Sequence, residues 1–321
     1  MKNFALTGIA GYIAPRHLQA IKDTGNRLVA AMDPHDSVGI LDKYFPQTSF
    51  FTEFERFDRH IEKLRRTNSD EIVDYISICS PNNLHDAHIR LALRVGADAI
   101  CEKPLVLNPW NLDQLQEIEK ETGKKVFTVL QLRVHPALMA IKEKLEKQKD
   151  ISPPNSNKKH NVELTYITSR GVWYNFSWKG REDISGGVAT NIGIHFFDLL
   201  MWLFGNVQKN LLFLRSPNKA SGFLELQNAN VKWYLSIDKK DLPQEAIQKN
   251  QSTHRSITID GNELEFTDGF TDLHTRVYEN ILQGKGFGIE TARASIETTY
   301  EIRHLPIIKT KELFHPMLLQ E

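Results

Sequence analysis

Two side chains in this sequence stand where they could move a proton during the oxidation of an alcohol. Lys103 lies in "CEKP" (101–104), directly after the apolar run "ADAI" (97–100). That places it at the carboxyl end of a strand, the edge where open parallel sheets bind ligands. A lysine whose pKa is lowered by desolvation can hydrogen-bond a substrate hydroxyl and take or relay its proton. Outside such a context it is a surface charge. His195 lies in "TNIGIHFFDLLMWLFG" (190–205), which is apolar nearly all round, as a helix buried between two layers is. The same stretch carries Asn191 and Asp198 on neighbouring turns. An unpaired buried polar group costs about 1 to 3 kcal/mol, so these three side chains predict a partnered network or a site. A histidine titrating near neutrality suits acid/base work; a satisfied core histidine is the structural alternative.

Alcohol oxidation also needs a hydride acceptor. The opening stretch "KNFALTGIAGYIAPRH" (2–17) breaks an apolar run with Gly8, Ala10, Gly11 and Ala14. A dinucleotide pyrophosphate must approach backbone amides at a helix N-terminus, and side chains there would block it. Gly8, Ala10, Gly11, Tyr12 and Ile13 are therefore the expected cofactor contacts. The spacing is one residue longer than Gly-x-Gly-x-x-Gly, and close helix-to-strand packing uses the same small residues. "RLVAAMD" (27–33) ends in Asp33, 25 residues after Gly8, where a carboxylate would accept from an adenosine ribose or organise a strand-end turn. Pro34, rather than an arginine, follows, which predicts NAD over NADP. "YISICSPNNLHDAH" (75–88) brings Ser80, Pro81, Asn82 and His85 to the end of another strand, as cofactor contacts or, for Asn82, as a helix cap. Glu102 and Lys103 complete the expected cofactor edge.

The elements that must position these residues show in the hydrophobic patterning. Strands are expected at Phe4 to Thr7, Leu28 to Met32, Ser49 to Phe51, Tyr75 to Cys79, Ala99 to Cys101 and Lys125 to Leu130. Helices are expected from about Pro15, near Phe54 to Arg66, over Asp86 to Val95 and from Pro109 to Thr122. This alternation predicts an α/β domain over 1–130, a parallel sheet with helices on both faces. Longer strands at Val162 to Thr168, Leu211 to Leu214, Gly222 to Gln227, Val231 to Ile237 and Ser256 to Ile259 predict an open sheet in an α+β domain over 131–321. Few helices separate those strands, so an antiparallel arrangement is expected. "EKQKDISPPNSNKKH" (146–160) reads as an exposed loop.

Composition excludes other classes. Forty basic residues balance forty acidic ones, so no whole-molecule field draws nucleic acid or an anionic membrane. The longest apolar segment, Ile192 to Phe204, is interrupted by His195 and Asp198, and no secretion signal is read at the N-terminus. Cys79 and Cys101 sit inside apolar runs, as free buried thiols of a reducing cytoplasm do, and no metal site is expected.

The opening turn, "SPNNLH", "EKP", "LRVHP" (132–136) and "GGVATNIGIHFFDLLMWLFG" (186–205) together resemble the Gfo/Idh/MocA family of NAD(P)-dependent oxidoreductases. That resemblance covers essentially the whole chain. It implies a nucleotide-binding Rossmann domain followed by an open mixed or antiparallel sheet that builds the substrate site and oligomer contacts, a tetramer among them. It also implies that His195 faces substrate with Lys103 across from it near the nicotinamide, and that Arg133 and Asn191 lie on the substrate side. Many relatives carry aspartate where this chain has Asn191, so the proton path expected here runs through Lys103 and His195.

"SRGVWYNFSWKGREDISGG" (169–187) offers aromatic surface for a ring and cations for an anion, or a dimer contact. It resembles the "RG-x-W-Y-x-x-SWKG" stretch of bacterial UDP-N-acetylglucosaminuronate 3-dehydrogenases of the WlbA and WbpB type, and residues 269–297 resemble their C-terminal segment. This implies NAD-dependent oxidation of the sugar C3 hydroxyl, followed by an aminotransferase, in O-antigen biosynthesis. Arg170 and Lys179 would meet the carboxylate or the pyrophosphate, and Tyr174 and Trp178 would line the sugar pocket. Some relatives reoxidise the cofactor in place with 2-oxoglutarate. The alternative within the family is another sugar or inositol dehydrogenase.

Overall fold

The computed structural model describes residues 1–67, 69–151, 159–264 and 271–319, with backbone alone over 148–151. The first half of the chain runs β1 (Asn3–Thr7), α1 (Ala14–Asp23), β2 (Arg27–Met32), α2 (Ile40–Tyr44), β3 (Ser49–Phe51), α3 (Phe54–Arg66), β4 (Tyr75–Ile78), α4 (His85–Arg94), β5 (Asp98–Cys101), α5 (Pro109–Thr122), β6 (Val126–Thr128) and α6 (Pro136–Ile151). The second runs β7 (His160–Thr168), α7 (Trp173–Phe176), α8 (Glu182–Ser185), α9 (Ile194–Phe204), β8 (Val207–Arg215), β9 (Lys219–Leu226), β10 (Ala229–Ser236), α10 (Gln244–Gln248), β11 (Thr253–Ile259), β12 (Asn262–Glu263), α11 (Leu273–Leu282) and α12 (Ile289–His304).

The chain divides into two compact units, Met1–Gln131 with Thr271–Arg293, and Leu132–Phe270 with Ala294–Glu321. In the first, six strands pair in parallel in the order β3-β2-β1-β4-β5-β6. A parallel sheet is covered on both faces, so its strands read as unbroken apolar runs, and Phe4, Ala5, Leu6, Ile76, Ile78, Ile100 and Cys101 are buried. α3 shows how the covering helices are specified. Phe57, Ile61 and Leu64 are buried at spacings of four and three, while its arginines and glutamates face outward in pairs. The order of the sheet reverses between β1 and β4, and such a switch point is where doubly wound sheets bind nucleotides.

The segment Thr271–Arg293, assigned by sequence to the second domain, packs with the first. Leu273, Val277, Tyr278 and Ile281 form the buried stripe of α11, which packs on α1, and the Tyr278 ring stacks on Phe4 at 5.8 Å. A helical stripe announces that a face is buried and not which core buries it.

The second unit holds a sheet in the order β12-β11-β7-β10-β9-β8. It is mixed, as the family resemblance allowed and the strand spacing alone did not, because β7 and β10 pair in parallel from His160 opposite Ala229 to Ile167 opposite Ser236. The other pairs are antiparallel. The sixty residues 169–228 between those strands carry α7, α8, α9 and a hairpin, enough chain for the crossover that a parallel pair requires. α9 packs on this sheet: the Phe197 ring meets Trp233 edge-on at 5.1 Å, and Leu164, Leu199, Leu200 and Leu235 are fully buried in the same cluster. Gly193 permits the close approach, since a Cβ there would lie 2.6 Å from Leu235 Cδ1.

Among the described residues, Glu182–Phe204 is one segment long and apolar enough to cross a membrane, and 78% of its apolar window is buried inside the protein, so its apolarity is that of a core helix. The loop expected over 146–160 is helical to Ile151, since the periodic stripe of α6 continues through Leu145; residues 152–158 lie outside the described residues.

Candidate active site

The glycine turn closes against the end of β4. Gly8 has φ of +82° and donates its N–H to Met32 O at 2.8 Å. A Cβ on it would lie 2.5 Å from the Cys79 carbonyl carbon and oxygen, so no larger residue fits. Asp33 ties this turn to β2: its Oδ2 accepts from the Ala10 N–H at 3.0 Å and its Oδ1 from the His35 N–H at 2.9 Å. The turn role thus belongs to Asp33 in the structure, and each oxygen retains a lone pair for a further donor such as a ribose hydroxyl. Ala10 and Tyr12 are exposed, Tyr12 by 83%, and Gly11 and Ile13 are half-buried. A backbone surface bare of Cβ groups at the N-terminal end of α1, beside a buried carboxylate, fits an NAD pyrophosphate and adenosine ribose.

Ser80, at the end of β4, contacts His88 Nδ1 at 2.9 Å, and that nitrogen also meets Thr7 Oγ1 at 3.1 Å. Burial, then the neighbouring His85, push His88 down to about 4, so it is neutral and links the ends of β1 and β4. Asn82 is buried in a single 3₁₀ turn, Asn82–Leu84, and the cap position of α4 falls on Leu84, so Asn82 is not the cap of that helix. Pro81 is half-buried beside it.

His85, expected on the cofactor, lies inside the protein. Its ring is 0% exposed, with Nδ1 on the Pro104 carbonyl at 2.7 Å and Nε2 on the Ser80 carbonyl at 2.9 Å. The ring thus lies between the loops that follow β4 and β5, and in its neutral form, which burial favours, it donates to one of the two carbonyls.

Glu102 follows β5. Its Oε1 lies 3.0 Å from His17 Nε2 and 3.0 Å from His274 Nε2, and its Oε2 accepts from the Lys103 N–H at 3.2 Å. His17 Nδ1 meets the Tyr278 hydroxyl at 2.7 Å, which in turn meets Ser77 Oγ at 2.6 Å. Burial lowers the His17 pKa against the opposing pull of Glu102. Burial pushes the Glu102 carboxyl up, but the hydrogen bonds and charge interactions of the two histidines outweigh it and hold it well below the usual range. With His17 Nε2–H donating to Glu102, the chain is complete when Tyr278 donates to His17 Nδ1 and Ser77 donates to Tyr278. The His17, Glu102 and His274 ligand atoms lie within 4.8 Å of one another, as metal ligands would, and hydrogen bonding accounts for that approach. Sequence reasoning missed His17, His274, Tyr278 and Ser77. The signal was a histidine within the apolar stripe of α1, beside Leu18 and Ile21. Lys103 itself is half-buried, and its bond to Pro104 is cis.

In the second unit, His195 opens α9, half-buried, with Tyr166 edge-on at 6.0 Å and Phe196 at 4.6 Å. One turn earlier the helix widens into a π-turn, Ala189–Gly193, a distortion frequent at functional sites. It carries Asn191, whose Nδ2 donates to the Tyr174 hydroxyl at 2.7 Å. Tyr174 is buried, and burial raises its phenol pKa. The structure thus joins two residues, 174 and 191, that the sequence nominated separately. Arg133 forks onto Asp198, Nε to Oδ2 and Nη2 to Oδ1 at 2.8 Å each. Burial still raises the Asp198 carboxyl above its ordinary value in spite of that partner. Two donors of Arg133, expected on the substrate side, are therefore engaged within the protein. In the 169–187 loop, Lys179 Nζ sits 4.4 Å above the Trp178 ring and 5.9 Å from Trp173, and Arg170 is exposed. Val172 and Phe176 are exposed by 74% and 87%.

Comparison with known proteins agrees with this geometry. Residues 2–130 match the Gfo/Idh/MocA oxidoreductase family model for the NAD-binding Rossmann fold, and 158–240 match that family's C-terminal α/β domain. The chain is similar to the WlbA (WbpB) dehydrogenase of Thermus thermophilus, solved with NAD and α-ketoglutarate at 51% identity and with NAD and UDP-GlcNAcA at 50%. In both comparisons the TM-score is 0.92, over 98% of this chain and 99% of that one. The curated relatives it matches are covered over a smaller share of their length. Oxidoreductase YteT of Bacillus subtilis is 24% identical over 64% of this chain and 47% of that protein. The D-glucoside 3-dehydrogenase of Escherichia coli is 29% identical over 41% of this chain and 36% of that protein. With the glycine turn, the strand order and both family domains in place, the chain belongs to the Gfo/Idh/MocA oxidoreductase family.

Proposed function

We propose that this chain is an NAD-dependent dehydrogenase that oxidises the C3 hydroxyl of UDP-N-acetyl-D-glucosaminuronic acid to the 3-keto sugar. The observation that carries this reading is the likeness, at 50% identity over 98% of the chain, to a dehydrogenase solved with NAD and UDP-GlcNAcA, joined to the presence of both Lys103 and His195.

Bound at the turn of Gly8, Ala10 and Gly11 with Asp33 on the ribose, NAD supplies the hydride acceptor. His195 takes the hydroxyl proton as base, and Lys103 donates a hydrogen bond to the oxyanion that develops on the same oxygen. The carbon thereby loses a hydride and the oxygen a proton. Arg170 and Lys179 answer the carboxylate and the pyrophosphate, while Trp178 and the Tyr174–Asn191 pair line the sugar site. The α-ketoglutarate held by the Thermus relative supports recovery of the two electrons in place, the keto acid leaving as 2-hydroxyglutarate. The 3-keto product suits an aminotransferase, in line with a 2,3-diamino sugar of the O-antigen. Resemblance to the family supports a homotetramer, and a nucleotide-sugar substrate supports a cytoplasmic location.

The test incubates the protein with NAD and UDP-N-acetylglucosaminuronic acid, with and without α-ketoglutarate and an aminotransferase. It follows absorbance at 340 nm, ketone capture and 2-hydroxyglutarate. Turnover that is lost in Lys103→Met and in His195→Asn supports the assignment. Failure to turn over this sugar while NAD binds refutes it, and oxidation of free sugars or inositols instead moves the enzyme among the other sugar dehydrogenases of the family.

A further inference from the structure

We infer that Glu102 is a buried anchor for the Lys103 main chain, and that His17, His274 and Tyr278 are positioning residues that act on the reaction through it. This rests on the reading of Lys103 as a catalytic residue. A lysine carries its ammonium on a flexible four-carbon stem, so the stem is placed only as well as the main chain at its root. That main chain follows β5, and its Lys103 N–H donates to Glu102 Oε2. The acceptor is in turn held by donors from two helices remote in sequence, His17 on α1 and His274 on α11, both on Oε1. Tyr278 and Ser77 extend the chain so that His17 keeps the tautomer that donates.

A carboxylate, with acceptors at both ends, fits this arrangement as no amide does without rearranging protons. A glutamine at 102 has one acceptor and one donor end. With its oxygen toward His17 and His274, its NH₂ confronts the Lys103 N–H, and with its oxygen toward Lys103, its NH₂ confronts two imidazole N–H groups. The first orientation sets donor against donor in a buried place, and the second requires His17 and His274 to present Nε2 as an acceptor, with the Ser77–Tyr278–His17 chain reversed. The two carboxylate oxygens thus serve the protein's own side chains and main chain. The same network explains why α11, far along the chain, packs with the nucleotide-binding unit: it delivers His274 and Tyr278.

A misplacement of about 1 Å costs on the order of 100-fold in rate, which sets the scale of the effect. In the full-length protein with NAD bound, Glu102→Gln should lower kcat by roughly 30- to 100-fold with KM for the sugar nearly unchanged. His274→Leu should lower it about tenfold, and His274→Gln, whose amide can donate, should recover most of that loss. Hydrogen exchange at the Lys103 amide, read by NMR, supplies a signal that needs no substrate: it should quicken in Glu102→Gln and His274→Leu and return toward the parent value in His274→Gln. Tyr278→Phe, which keeps the ring on Phe4, guards against a variant that fails to fold and should show a smaller change of the same sign. The inference is overturned if the Lys103 amide exchanges alike in all variants, or if kcat falls only as the folded fraction measured by thermal melting falls. Absence of turnover in the parent protein would refute the function proposed above, and the amide comparison would still decide the anchor.

Discussion

Gly8→Ala tests the nucleotide site at its narrowest point. The substitution meets two costs. A φ of +82° is a left-handed conformation that costs an alanine about 1 to 2 kcal/mol. Its Cβ would stand 2.5 Å from the Cys79 carbonyl, some 0.9 Å inside the 3.4 Å at which ordinary contact begins. Overpacking of that kind costs about 1 to 3 kcal/mol, and the turn relieves it by moving away from β4. In a unit of this size each kcal/mol lowers the melting temperature by about 2 to 4 °C, so a fall of roughly 4 to 20 °C is expected. Amides displaced by most of an ångström lose charge-assisted hydrogen bonds to the pyrophosphate worth about 1.5 to 3 kcal/mol. At 1.4 kcal/mol per decade the Kd for NAD rises by about 10- to 100-fold. Isothermal titration with NAD and differential scanning calorimetry read both quantities. A variant that binds NAD within about threefold of the parent and melts within about 1 °C of it would show that neither the strain nor the clash is real.

Other perturbations separate the roles of the remaining side chains. His88 is neutral in the fold with its pKa at about 4, while the unfolded chain titrates near 6.5, so the unfolded state binds the extra proton and stability falls as pH drops from 6.5 toward 4. The loss amounts to about 2 kcal/mol at pH 5 relative to pH 8; His88→Asn should flatten that part of the urea-unfolding profile, and an unchanged slope would count against a buried neutral ring. Asp198→Asn leaves Arg133 without its carboxylate in a largely buried place and should cost about 2 to 4 kcal/mol in chemical denaturation, whereas a loss under about 0.5 kcal/mol would mean that the fork contributes nothing. Arg170→Met should raise KM for the nucleotide sugar by about 10-fold or more and leave NAD affinity unchanged; equal effects on both ligands would remove it from the substrate side.

Much of the first unit was legible because its signals are local. α3 and α5 end where amphipathic spacing and an N-terminal proline place them, at Phe54–Arg66 and Pro109–Thr122, and the strand Ser49–Phe51 matches its apolar run. α2 was missed because five residues carry too little periodicity. Among the candidate site residues, Gly8, Asp33, Lys103 and His195 stood out because each type is costly or unusual at its place in the pattern. The Asn191–Tyr174 pair was nominated in parts, and its union became visible only when the π-turn and α7 came together.

The sequence by itself determined the alternation of strands and helices, the glycine at the mouth of the turn and the chemical types along the strand ends, since these follow from periodicities of two and 3.6 and from backbone sterics. Tertiary structure alone decided which strands pair in parallel across sixty residues, which unit claims α11, and that the His85 ring is buried between two loops. It also decided that Ser77, Tyr278, His17, His274 and Glu102 form one hydrogen-bonded chain. Their separations reach 261 residues, and no local periodicity encodes a contact made only when distant elements pack and bury their polar groups against one another.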